Sequence, residues 1–339
     1  MGDLLNRALG RRPRRGAAIW LWAALALMVV WALFHLGDIG ATFVQFGAYL
    51  EYRFIRRALL VGVLVSLCAS LLGVTLVLKR YSMIGDGLSH VGFGALTVAM
   101  ALGFVTADSL PRFLPAGLRG GLAGLCASIA ESPLPFTLAV VLLCAFLLLR
   151  ISERSRMRGD SAIALISTSA LAVGVIVTSM TSGMNVDVYN YMFGSILAMS
   201  ASDVILSAVL SVVVLVLFAL FYPRIFAVTF DEPFARATGV RAGSYNLLIA
   251  LLTALTVVVG MRMMGTLLIS SLIIFPALSS MRVFSRFRSV TICSAIISVA
   301  CFLAGMMLSC VYSLPTGAGI VAVNLVVFIA FSAIGAARN

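Results

Sequence analysis

The sequence predicts an all-α, polytopic transmembrane bundle of about ten spans. Three observations predict it. The 339-residue chain is 62% hydrophobic and only 11% charged. Its apolar runs repeatedly reach the roughly 20 residues that a helix needs to cross a bilayer. Those runs, such as ALLVGVLVSLCASLLGVTLVL at 58–78, lack the alternating polarity of a transmembrane barrel strand.

The first run, 17–37, follows RRPRR at 11–15. It is too long for the apolar core of a signal peptide and lacks a small-residue cleavage pattern, so a retained span is expected. Residues 38–53 mix aromatics with charge and belong at the outer interface. Residues 1–53 therefore form an N-terminal addition to a main transmembrane domain at 54–338. Further spans are expected at 54–78, 83–106, 136–150, 161–182, 203–222, 244–261, 265–281, 289–311 and 318–336. Two stretches, 107–135 and 189–200, fit partial or re-entrant helices whose polar ends protein or a cavity must cover.

The net charge of +12 is distributed as topology rather than as a nucleic-acid surface. Arg7 to Arg15, Lys79 with Arg80, Arg150 to Arg158, Arg224 to Arg241, Arg282 to Arg288 and Arg338 fall on one side of the ten-span plan. By the positive-inside rule that side is cytoplasmic, with both termini on it, and no nucleic-acid partner is expected. Lys79 is the only lysine, so no P-loop is present and the chain hydrolyses no ATP by itself. The six cysteines form no CxxC pair, which argues against a disulfide framework or a zinc-thiolate site. No HExxH occurs either, and a transport subunit is expected rather than an enzyme.

Asp86 and His90, in KRYSMIGDGLSHVGFGAL at 79–96, are the ionisable side chains well inside the apolar runs. A carboxylate at a helix centre in lipid costs roughly 2.5 to 3.5 kcal/mol by insertion scales, so it normally faces a cavity or a partner. The i, i+4 spacing puts both groups on one face. A carboxylate oxygen and an imidazole nitrogen suit Zn²⁺ or Mn²⁺. Two ligands make a weak site, which suits an ion that must leave, and two copies of the chain around a pore would supply four. The alternative is that Asp86 caps the helix and His90 bonds a neighbouring carbonyl.

FDEPFARATGVRAGSY at 230–245 has the grammar of a brief helix outside the membrane. Asp231 and Glu232 start it, Pro233 sits in its first turn and Gly239 ends it. In MRMMGTLLISSLIIFPALSSMRVFSRF at 261–287, small residues allow close helix approach and Pro276 frees a carbonyl. Ser270 and Pro276 are candidates for lining a pore, with plain helix packing as the alternative.

Taken in order, RRALLVGVLVSLCASLLGVTLVLKRYSMIGDGLSHVGFGAL, YMFGSILAMSASDV, FDEPFARATGV, GTLLISSLIIFPALSSMRVFS and LPTGAGIVAVNLVVF resemble the membrane subunit of the zinc and manganese ABC importers, the ABC-3 family. The resemblance runs from about residue 54 to 330. It implies a type II ABC importer-like bundle that pairs with a second permease copy, identical or homologous, within membrane lipid. It further implies an extracytoplasmic metal-binding protein that delivers the ion and a separate ABC ATPase subunit. The implied cargo is Zn²⁺, with Mn²⁺ or Fe²⁺ as alternatives, and no cofactor is held permanently. Asp86 and His90 match the family's GDxxxH block on the metal path. Asp231, Glu232, Phe234, Ala235 and Gly239 match the loop that docks into the ATPase. Two other readings stand beside it: an ion-coupled secondary carrier that titrates Asp86 and His90, and a siderophore or cobalamin ABC permease.

Overall fold

The structure is a computed structural model, and it describes residues 47–104, 116–154, 159–181 and 201–338. Every regular element among them is helical: α1 (Arg53–Leu78), α2 (Ile84–Leu102), α3 (Ala116–Glu131), α4 (Pro133–Arg154), α5 (Gly159–Met180), α6 (Ala201–Phe230), α7 (Glu232–Ala237), α8 (Ala242–Met264), α9 (Thr266–Val283), α10 (Phe287–Tyr312) and α11 (Thr316–Arg338). The expected span at 17–37 and the piece at 189–200 lie outside the described residues.

Seven of these helices are long and apolar enough to cross a membrane: α1, α5, α6, α8, α9, α10 and α11. An eighth crossing arises if α3 and α4 count together, although they meet at 90°. That break falls at Ser132 and Pro133, inside the stretch expected to be partial or re-entrant. The span expected at 83–106 is the helix α2, which falls short of the seven because four glycines, Asp86, Ser89 and His90 dilute its apolar residues. Ten spans are thus an expectation of which the described residues supply seven or eight.

α1 is the central helix, packed on α6, α8, α9 and α10, while α2 lies against α4, α5, α8 and α9. Lipid tails are as apolar as leucine, so membrane helices associate through close packing and interhelical hydrogen bonds rather than through the hydrophobic effect. The sequence supplies both. Ser298 Oγ donates to the Ser66 carbonyl at 3.0 Å and Ser294 Oγ to that of Ser70 at 3.4 Å, tying α10 to α1. Gly73 of α1 meets the backbone of Ile273 on α9, and Gly85 at the start of α2 meets the Ile273 side chain. Ile273 is therefore a wedge between α1 and α2, admitted by two glycines.

The ends of the helices sort by charge. Tyr222, Phe226 and Phe230 at the end of α6 gather round Phe287 at the start of α10. Gly335 near the end of α11 lies against Arg282 near the end of α9. These termini, with Lys79 at the end of α1, belong to the segments rich in arginine, and we call this the basic end.

The α1–α2 turn is tightly built. Tyr81 N–H donates to the Leu76 carbonyl at 2.9 Å and Arg80 N–H to that of Val77 at 3.1 Å, the paired bonds of a Schellman stop. The residue that must turn left-handed is Arg80, with φ 62°, where glycine is the usual choice. A non-glycine residue there carries about 1 kcal/mol or more of local strain. Arg80→Gly should therefore stabilise the detergent-solubilised protein by about 0.5 to 1 kcal/mol, and a thermal melt checks it.

Candidate functional site

α2 brings Asp86 and His90 onto one face one turn apart, as their spacing dictates. His90 Nε2 lies 3.5 Å from Asp86 Oδ2, and their side chains are 23% and 41% exposed. The other carboxylate oxygen, Oδ1, lies 3.5 Å from Ser270 Oγ of α9, at the outer limit for a hydrogen bond. Ser270 Oγ also reaches the Thr266 carbonyl at 3.0 Å, which fixes its position on α9. Asp86 sits in the first turn of α2, yet that helix has no side-chain cap. The carboxylate oxygens instead face His90 and Ser270.

The 3.5 Å between nitrogen and oxygen is long for a hydrogen bond. It also equals the edge of a tetrahedron whose corners lie about 2.1 Å from its centre, the ligand distance of a zinc ion. No cluster of three or more His, Cys, Asp or Glu side chains occurs among the described residues. The described residues therefore offer one pair of candidate ligands, with Ser270 behind one of them. Pro276 is buried in α9 and does not join this group. It lies among the packed residues of that helix, beside Ala277, which packs with Val74 of α1.

At the basic end, 231–239 form the expected short helix. Asp231 is its N-cap, its Oδ1 accepting from Phe234 N–H at 2.9 Å. Gly239, at φ 86°, closes it: Val240 N–H donates to the Ala235 carbonyl at 2.9 Å and Gly239 N–H to that of Arg236 at 3.1 Å. Ala235 is the buried anchor, seated with Val228 and Ala242 in a small cluster apart from the main core. Phe234 points outward and is 64% exposed, an aromatic knob offered to whatever meets this face.

Glu232 holds the inner side of α7. Its Oε1 accepts from Arg236 Nη2 at 2.6 Å and its Oε2 from Asn246 Nδ2 at 3.2 Å, with Lys79 Nζ 3.7 Å away. Lys79 in turn donates to Asn246 Oδ1. The spacing of the loop did not reveal this network, because Lys79 and Asn246 lie in other segments. The available signal was that Lys79 is the sole lysine among 24 basic residues.

Burial pushes the Glu232 carboxyl up, but the Asn246 and Arg236 hydrogen bonds and the charges of Lys79 and Arg236 outweigh it and hold its pKa below the usual glutamate value. The contribution of this carboxylate is therefore complete above about pH 4.3, the ordinary value, and is lost as the pH falls through the lowered one. Hydrogen exchange of 233–239 should show α7 loosening on acidification below about pH 4. Glu232→Gln should remove that step.

Comparison with known proteins gives a consistent result. The family model described as the ABC 3 transport family matches residues 51–335. The manganese transport system membrane protein MntC of Halalkalibacterium halodurans is 26% identical over 84% of this chain and 88% of its own. A probable metal transport system membrane protein of Thermotoga maritima is 31% identical over 82% of this chain and 89% of its own. The high-affinity zinc uptake system membrane protein ZnuB of Haemophilus influenzae is 26% identical over 82% and 96%. Among solved structures, PsaBC from Streptococcus pneumoniae in complex with Fab has a similar fold, with TM-score 0.67 and 22% identity over 89% of this chain and all of that one.

Proposed function

Because the chain belongs to the ABC 3 transport family, we propose that it is the permease subunit of an ATP-driven importer of divalent transition metal ions, with Asp86 and His90 as ligands on the ion path. The observation that carries this reading is the half-open Asp86–His90 pair backed by Ser270. An acid and an imidazole in an apolar helix are costly unless used, and here their separation suits a metal held between them.

Relatives bear both manganese and zinc in their names. We favour zinc, for which one carboxylate oxygen and one imidazole nitrogen are ordinary ligands, with manganese as the alternative cargo. Two copies of the chain facing each other across a pore would complete a four-ligand site. The basic end is cytoplasmic, and Phe234 on α7 is the knob that enters a separate ATPase subunit. An extracytoplasmic binding protein delivers the ion at the opposite end.

The test is reconstitution of the permease with its ATPase and binding protein in liposomes, following zinc and manganese uptake with and without ATP. ATP-dependent zinc uptake is expected, with manganese as the weaker competitor. Uptake driven by an ion gradient without ATP would instead identify a secondary carrier, and uptake of a metal chelate alone would identify a chelate permease.

A further inference from the structure

Three segments meet at the basic end through one polar cluster: Lys79 at the end of α1, Glu232 of α7 and Asn246 in the first turns of α8. The Lys79 side chain is only 11% exposed. An ammonium that far from water needs partners, and two of them, Glu232 and Asn246, lie on the α7–α8 segment.

Around the cluster lies a cavity of about 480 Å³, lined by Lys79, Tyr81, Ile84, Glu232, Arg236 and Asn246 among others. Ala235 anchors α7 on the end of α6 and the start of α8, apart from the main core. Much of the space between α7 and the α1–α2 turn is thus open, and the polar cluster bridges it.

From Lys79 onward the backbone has little slack. Arg80 and Tyr81 are held by their bonds to Val77 and Leu76, Ile84 N–H donates to the Tyr81 carbonyl at 3.0 Å and Gly87 N–H to that of Met83 at 2.9 Å. Asp86 lies within the turn these bonds build.

We propose that Lys79, with Glu232 and Asn246, is a positioning tie that carries movement of α7 into the first turn of α2, and so to Asp86. The proposal rests on the transport reading above. A displacement of α7 by the ATPase draws on Lys79, the stiff turn passes it on, and the geometry of the Asp86–His90 pair changes. In this arrangement hydrolysis and ion release are linked through one side chain that touches neither nucleotide nor ion.

The experiment uses the assembled transporter in liposomes, with ATP hydrolysis and metal uptake measured side by side. Lys79→Met should still co-purify with the ATPase and hydrolyse ATP within about twofold of wild type, while metal taken up per ATP falls about tenfold. Lys79→Arg, which keeps the charge and the reach, should restore the ratio. Hydrogen exchange provides a readout independent of the metal. In wild type and Lys79→Arg, ATP should alter protection of both 231–239 and 80–84, whereas in Lys79→Met only the first segment should respond.

Wild-type uptake per ATP in Lys79→Met, or an unchanged response of 80–84, would overturn the tie. Should Lys79→Met fail to assemble, Asn246→Ala is read in the same way, with a loss of about threefold expected. A wild-type complex that moves neither zinc nor manganese would defeat the transport reading instead, and the exchange measurement would still judge the tie.

Discussion

Asp86→Asn is expected to lower ATP-driven zinc uptake on the order of 100-fold, while the protein becomes no less stable. Residues that merely support a metal ligand cost about 10- to 100-fold when removed, so loss of a ligand charge belongs at or beyond the upper end. Stability should move the other way. A carboxylate at the centre of a membrane helix costs roughly 2.5 to 3.5 kcal/mol by insertion scales; Asp86, in the first turn of α2 and 41% exposed, bears only part of that cost, and an amide of the same shape relieves it. The Asp86 carboxylate caps no backbone N–H of α2, so no capping bond is lost with its charge. Ser270→Ala should be milder, because its hydroxyl touches only Oδ1 and is held by Thr266 as well. Uptake and thermal stability of the two variants, measured in the same reconstituted complex, check this. An Asp86→Asn protein that transports normally but melts early would return the carboxylate to a structural role.

Much of this site was legible in the sequence because its parts are local. The i, i+4 step fixes Asp86 and His90 on one face, and the Asp-Glu-Pro start with the Gly239 stop fixes α7, whatever the rest of the chain does. Ser270 was legible as a candidate lining residue, but its partner was not. It lies 184 residues from Asp86 and meets it through the packing of α9 against α2. Lys79 read as one more basic residue beside a span. The left-handed Arg80 was hidden for a different reason: arginine carries no preference for that conformation, and the turn is set by the Leu76 and Val77 carbonyls that need donors. The described residues supply seven or eight crossings by length and apolarity rather than ten, and they fall short at α2 and at α3 with α4 because glycines, polar groups and Pro133 make these segments less than simple apolar rods. Those departures lie in and beside the helix that carries Asp86 and His90.

Gly73→Ala is expected to cost about 3 kcal/mol or more, the upper end of overpacking penalties, and to abolish uptake with it. A β-carbon at 73 would lie 2.0 Å from the Ile273 carbonyl oxygen and 2.9 Å from its carbonyl carbon. Backbone lies on both sides of this contact, so no rotamer change relieves it, and α1 must separate from α9. That separation withdraws Ile273 from its seat between Gly73 and Gly85 and carries Ser270, one turn earlier on α9, away from Asp86. Glycine is otherwise a poor helix residue, about 1 kcal/mol worse than alanine at an unpacked site. Gly124→Ala on α3, where nothing lies within 4 Å of the added carbon, therefore serves as the opposite control and should be neutral or stabilising. Melting temperature and zinc uptake of both variants decide the matter. If Gly73→Ala matched Gly124→Ala in both, the close α1–α9 approach would not be what holds Ser270 against the Asp86–His90 pair.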